Sequence, residues 1–186
     1  MHSFLVSAGI VAVSEIGDKT QLLALLLATR FRRPVPIILG ILVATALNHT
    51  MAAFAGVWLA EVVGEQRLRW LLGLTFIAMA VWALIPDKIE DEEAGRLAAR
   101  GAFVASAIGF FLAEIGDKTQ VATAALAARY ETVLPVVLGT TLGMLAADVP
   151  AVIFGHVAAE RVNTRWVRFL AALLFAALGL ATILSA

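Results

Sequence analysis

Two short stretches hold the residues with the most chemistry to offer. "SEIGDKTQLLALLLATRFRRP" starts at Ser14 and "AEIGDKTQVATAALAARYETVLP" starts at Ala113, so Glu15, Asp18 and Lys19 recur as Glu114, Asp117 and Lys118. Each set sits inside an apolar run. An ionised side chain at the centre of a membrane-spanning helix costs about 2.5–3.5 kcal/mol on insertion scales, so four uncompensated carboxylates impose a penalty on the order of 10 kcal/mol. Protons, the two lysines or a bound cation must neutralise them. On a continuous helix, positions i, i+3 and i+4 share a face, which predicts Glu15, Asp18 and Lys19 within one arc. Two such faces brought together gather four carboxylates.

Further donors surround the acids. Thr20, Gln21, Thr119 and Gln120 place oxygens about one turn away. Gly17 and Gly116 weaken helix propensity at the charged turn, and an opened turn inside a bundle frees backbone carbonyls for an ion. In the next apolar segment of each half the polar residues are Asn48 and His49, then Asp148 followed closely by Pro150. Asp148 has no local cation and is read as functional; His49 is read as a packing residue. With no cysteine in the chain, thiolate sites and disulfides are excluded together. An oxygen donor set selects hard cations such as Ca²⁺, Mn²⁺ or Mg²⁺, and Na⁺ also meets its terms.

The elements that hold these residues follow from composition. The chain has 186 residues, 61% hydrophobic and 15% charged, with a mean hydropathy of +0.93. These values fall outside the range of soluble domains and indicate an all-α integral membrane protein. A spanning helix needs ~20 apolar residues. Six candidates fit, about 3–29, 35–60, 69–86, 101–128, 135–158 and 168–185, which puts all four motif acids near mid-membrane. The chain opens into Phe4 and Leu5 without the positive region of a signal peptide, so the first segment is expected to remain as a span. Net charge is zero and basic residues are scattered, which excludes a nucleic-acid partner.

Sliding the chain against itself at an offset of 99 residues aligns its halves without a gap. From Glu15 to Gly40, 13 of 26 positions are identical, and Gly56, Glu61, Arg69 and Phe76 further on meet Gly155, Glu160, Arg168 and Phe175. The reading is a first three-helix repeat over 1–86, a polar linker over 87–100 and a second repeat over 101–186. Three is odd, so the second repeat must enter the membrane inverted, the plan of many secondary transporters. Nine Lys and Arg flank the first, third and fifth loops, against Arg67, Arg69 and Arg129 on the other side. By the positive-inside rule both termini lie outside the cytoplasm. Gly139 and Gly143 form a GxxxG pattern for close helix packing, with Gly40 and Ala44 as its weaker counterpart. Glu61 and Glu160 are read as boundary charges.

The twin "EIGDKT" motifs, each in the first span of a three-helix unit, resemble the E-x-G-D-[KR]-[TS] signature of the Gdt-type cation exchangers. The likeness covers nearly the whole chain. It implies exchange of Mn²⁺, or in some members Ca²⁺, for H⁺, with Glu15, Asp18, Glu114 and Asp117 as cation ligands and proton carriers. It also implies export of Mn²⁺ from the cytoplasm across a bacterial plasma membrane. Lys19 and Lys118 enter the expected transport set, and Thr20, Gln21, Thr119, Gln120, Asn48 and Asp148 the expected metal set. The transported ion is the only metal expected, with no prosthetic group. Expected partners are divalent cations, protons and the bilayer, with self-association left open.

The mechanism expected is competition for one set of carboxylates, since a divalent cation favours their ionised form and expels protons. Rocking of one repeat against the other then couples the two fluxes. Two rivals belong to other classes. An intramembrane aspartyl enzyme would pair two acids around one proton, but four motif acids and two lysines exceed that need. An exporter of amino acids or other small solutes would want an anion-binding end, whereas this midplane is acidic. An internally neutralised structural pair is the bland alternative, and five acids against two lysines argue against it.

Overall fold

The computed structural model of the chain describes residues 1–85, 101–154 and 164–184, and these hold eight helices. The linker placed at 87–100, and Gly155, Glu160 and Arg161, lie outside them. The first apolar stretch forms two helices, α1 (His2–Glu15) and α2 (Lys19–Phe31). α3 (Pro34–Val63) and α4 (Glu65–Ala83) follow. The second half repeats the plan as α5 (Ala102–Glu114), α6 (Lys118–Tyr130), α7 (Leu134–Phe154) and α8 (Thr164–Leu184). By length and composition α3, α7 and α8 are apolar enough to cross a membrane, and α1 and α5 are shorter apolar helices.

The breaks have a local cause. Ile16 and Ile115 take extended backbone after α1 and α5, and Gly17 and Gly116 follow at φ of 80° and 76°. That left-handed region costs other residues roughly 1–2 kcal/mol, so glycine at the centre of each motif makes the turn accessible. A backbone hydrogen bond closes each turn, Asp18 N–H to the Glu15 carbonyl and Asp117 N–H to that of Glu114, both 3.1 Å. Glu15 and Asp18 therefore belong to different helices. The single arc expected for Glu15, Asp18 and Lys19 does not form, because the glycine turn interrupts the helical register.

Packing interlocks the halves. α1 lies against α7, and α5 against α3. A Cβ added at Gly40 would lie 2.7 Å from the Phe103 carbonyl oxygen, and one at Gly139 would lie 2.5 Å from that of Phe4. These two contacts are the same contact 99 residues apart. Gly143 meets the Ala8 carbonyl in the same way, so the GxxxG pattern marks the seam between α7 and α1. At the crossing of α3 and α7, the Thr45 hydroxyl donates to Met144 Sδ at 3.2 Å. These two residues are also 99 apart, so repeat-related positions meet one another there. α4 packs on α8, with repeat-related Phe76 and Phe175 both fully buried.

The bundle differs from a water-soluble protein in its apolar exposed face and in the polar residues set within its core. Leu39, Val43, Leu47, Met51, Phe54 and Trp58 are exposed along α3, while Thr45, Asn48 and His49 of the same helix are fully buried. An apolar outer face with a buried polar cluster set in an apolar core suits hydrocarbon outside and a polar site within.

Candidate cation site

The two broken turns face each other in the middle of the bundle. Glu15 closes α1 and Asp18 caps α2; Glu114 closes α5 and Asp117 stands at the N-cap position of α6 without a side-chain capping bond. All four acids are buried. Glu15, Glu114 and Asp117 each offer a carboxylate oxygen to a group whose members lie within 4.8 Å of one another. Oxygens around a divalent ion sit about 2.0–2.6 Å from it, hence up to about 4–5 Å apart, and the trio meets that spacing.

Each glutamate is held at one oxygen. The Thr20 hydroxyl donates to Glu15 Oε2 at 2.5 Å, and the Thr119 hydroxyl donates to Glu114 Oε2 at 2.7 Å. The other oxygens, Glu15 Oε1 and Glu114 Oε1, accept no hydrogen bond among the described residues, and neither does Asp117 Oδ2. Burying a carboxylate oxygen without a donor is costly. A site that tolerates three of them is poised for a proton or a cation.

The lysines cross between the halves. Lys19 Nζ lies 3.1 Å from Asp117 Oδ1, and Lys118 Nζ lies 2.9 Å from Asp18 Oδ2. The i, i+4 pairing with Glu15 or Glu114 that helical spacing suggests does not occur, because the break turns each lysine toward the opposite motif. The two pairs differ in access: the Lys19 side chain is 26% exposed and that of Lys118 only 4%. The reciprocal exchange of partners is the feature sequence reasoning missed. Its signal was available, since a doubled motif related by two-fold symmetry pairs each copy with the other.

Other expected ligands are placed less simply. The amide oxygens of Gln21 and Gln120 accept the N–H groups of Gly17 and Gly116 at 3.0 and 2.8 Å, capping the broken turns. The Gln21 amide also donates to the Ala147 carbonyl at 2.9 Å. Asn48 donates to the Phe111 carbonyl at 3.0 Å, and its Oδ1 accepts nothing among the described residues. Asp148 is fully buried on α7 with both oxygens in the same state, near enough to interact electrostatically with Glu15, Glu114 and Asp18. It lies outside the close trio. Its repeat equivalent His49 is fully buried, and neither ring nitrogen is hydrogen-bonded among the described residues.

Comparison with known proteins agrees with this geometry. The family model described as "Divalent cation/proton antiporter GDT1" matches residues 3–91 and 102–186. A Vibrio cholerae protein named "Putative manganese exporter" is 50% identical over 98% of this chain and 90% of its own length. A GDT1-like protein of Synechocystis is 30% identical over 89% of both chains. GDT1-like protein 4 of rice is 28% identical over 93% of this chain and 70% of its own. No solved structure matches significantly. These likenesses indicate a transporter rather than an enzyme. With both motifs inside the matched segments and their acids gathered at one buried centre, the chain belongs to the GDT1 family of divalent cation/proton antiporters.

Proposed function

We propose that the chain exchanges Mn²⁺ for H⁺ and exports Mn²⁺ from the cytoplasm of a bacterial cell, with Ca²⁺ as the alternative cargo. The observation that carries the reading is the buried trio of Glu15, Glu114 and Asp117, whose oxygens lie within a cation's reach of one another. Asp18 completes the motif set from across the two ion pairs. Preference for Mn²⁺ and the outward direction draw on the name of the Vibrio cholerae relative.

In this reading the chain crosses the membrane six times, with α1–α2 and α5–α6 each forming one interrupted span. The two repeats, 1–86 and 101–186, enter in opposite orientation, and both termini lie outside the cytoplasm. Support comes from the interlocked packing, the reciprocal ion pairs and the family match in two segments. Interrupted helices at a repeat interface are a recurring way to build midplane ion sites.

Lys19 and Lys118 stand in for the cation when it is absent. A divalent ion arriving at the carboxylates displaces both ammonium groups, and its departure lets them return or lets protons bind. Because Lys19 is the more exposed of the two, the cation path in this conformation passes on its side. Thr20 and Thr119 orient the glutamates, Gln21 and Gln120 hold the turns, and Asn48 and Asp148 supply outer oxygens. Apolar walls and interlocked helices keep water from short-circuiting the exchange.

The test is transport by purified protein in liposomes carrying a trapped pH dye and a metal dye, offered Mn²⁺, Ca²⁺, Mg²⁺ and Na⁺ separately. A Mn²⁺ gradient that moves protons, and fails to in Glu15→Gln and Asp117→Asn, is the expected result. Absence of proton movement with every cation would overturn the proposal.

A further inference from the structure

Away from the acid cluster, a groove of about 500 Å³ runs along the outside of the bundle between α1 and α8. Leu5, Gly9 and Val13 line one wall, Leu174, Ala177 and Leu178 the other. Its head is of different chemistry, formed by His2, Arg129 and Tyr130. The Arg129 guanidinium donates to the Leu178 carbonyl at 3.1 Å and lies 5.9 Å from the centre of the Tyr130 ring. The His2 ring meets Tyr130 edge-on at 5.9 Å. Glu65, Arg69 and Glu131 line a second cleft, which Arg129 also borders. Among the described residues no carboxylate pairs with Arg129.

The length of the groove is informative. From His2 to Val13 is 13 − 2 = 11 steps along α1, about 16 Å at ~1.5 Å per residue, or about half of a ~30 Å hydrocarbon core. The groove is thus one leaflet deep, with its cationic and aromatic head where headgroups lie.

Gly9 supplies an independent observation. A glycine inside a helix costs roughly 1 kcal/mol relative to alanine. At Gly40 and Gly139 close helix approach explains it, but a Cβ at Gly9 would meet nothing within 4 Å. No contact among the described residues requires this glycine, and it widens the groove at mid-length. The repeat-equivalent position is Ile108, so this opening is particular to the first copy.

We propose that the groove is a binding site for an anionic phospholipid, with its phosphate against Arg129 and one acyl chain laid between α1 and α8 over Gly9. Apolar walls one leaflet long fit the chain, and the guanidinium at the head, which meets no carboxylate among the described residues, fits a phosphate. The occupant braces α1, which ends in Glu15.

The experiment is native mass spectrometry of the purified full-length protein with phosphatidylglycerol and phosphatidylcholine of identical chains in equal amounts. The wild type is expected to retain one phosphatidylglycerol at least about fivefold over phosphatidylcholine. Gly9→Leu fills the groove and loses that lipid, and Ala177→Leu loses it from the opposite wall. Arg129→Gln lowers phosphatidylglycerol to the phosphatidylcholine level, while Arg129→Lys keeps a preference. Melting temperature in lipid-free detergent checks that each variant folds. Equal retention of the two lipids by the wild type, or undiminished retention in folded Gly9→Leu or Ala177→Leu, would overturn the proposal and leave only non-specific boundary lipid.

Discussion

Replacing Lys118 with methionine tests the stand-in role of the lysines from two directions at once. Its ammonium lies 2.9 Å from Asp18, with the two side chains 4% and 1% exposed. Removing one partner of a buried pair costs about 3–5 kcal/mol, because the other charge is left behind. In a chain of this size each kcal/mol moves the melting temperature by about 2–4 °C, so metal-free Lys118→Met should melt about 6–20 °C below wild type. The same change at the more exposed Lys19 should cost less. Saturating Mn²⁺ should close most of the gap between Lys118→Met and wild type. In the wild type the cation must displace the ammonium; in the variant no ammonium has to leave Asp18. If about 3 kcal/mol of displacement is spared, Mn²⁺ affinity tightens about 100-fold. The assay is thermal melting followed by tryptophan fluorescence, first in chelator and then across a Mn²⁺ titration at constant pH. Metal-free Lys118→Met melting with the wild type, or Mn²⁺ stabilising the two proteins equally, would refute the reasoning.

Three further predictions address other parts of the account. Gly139→Ala forces a Cβ to within 2.5 Å of the Phe4 carbonyl and should destabilise the protein by about 1–3 kcal/mol through overpacking, read as a lower melting temperature than that of Gly9→Ala. Thr119→Val removes the hydrogen bond that orients Glu114 and should weaken Mn²⁺ binding by roughly tenfold, about 1–1.5 kcal/mol, while Thr119→Ser retains most of it; titration calorimetry separates the two. A fluorescent tag on the C-terminus should be reachable from outside intact cells, and quenching only after permeabilisation would contradict the proposed orientation.

Much of this arrangement was legible in the chain, for reasons that differ from residue to residue. The 99-residue offset placed the motifs, Gly139 and Gly143 marked a close helix seam, and Gly17 and Gly116 hinted at open turns. Composition alone indicated a helical membrane protein. Partner choice was legible only in the doubling of the motif and not in helical spacing. Helical spacing put Lys19 beside Glu15, but the positive φ at Gly17 breaks that register, and the ammonium meets Asp117 across the interface instead. Gln21 and Gln120 were expected as ligands because amide oxygens suit hard cations; what helical spacing did not show is that their oxygens also accept the N–H groups a broken turn leaves open. The groove beside Gly9 left no periodic trace, since lipid-facing and groove-facing apolar residues share one pattern.

The central claim is that the cation and protons occupy the same carboxylates in turn. The most direct measurement is proton release when Mn²⁺ is titrated into purified, metal-free protein in weakly buffered solution with a pH-sensitive dye. Release is expected to saturate together with Mn²⁺ binding and to fall in Glu15→Gln and Glu114→Gln. Saturable Mn²⁺ binding at these residues with no proton released near neutral pH would contradict it.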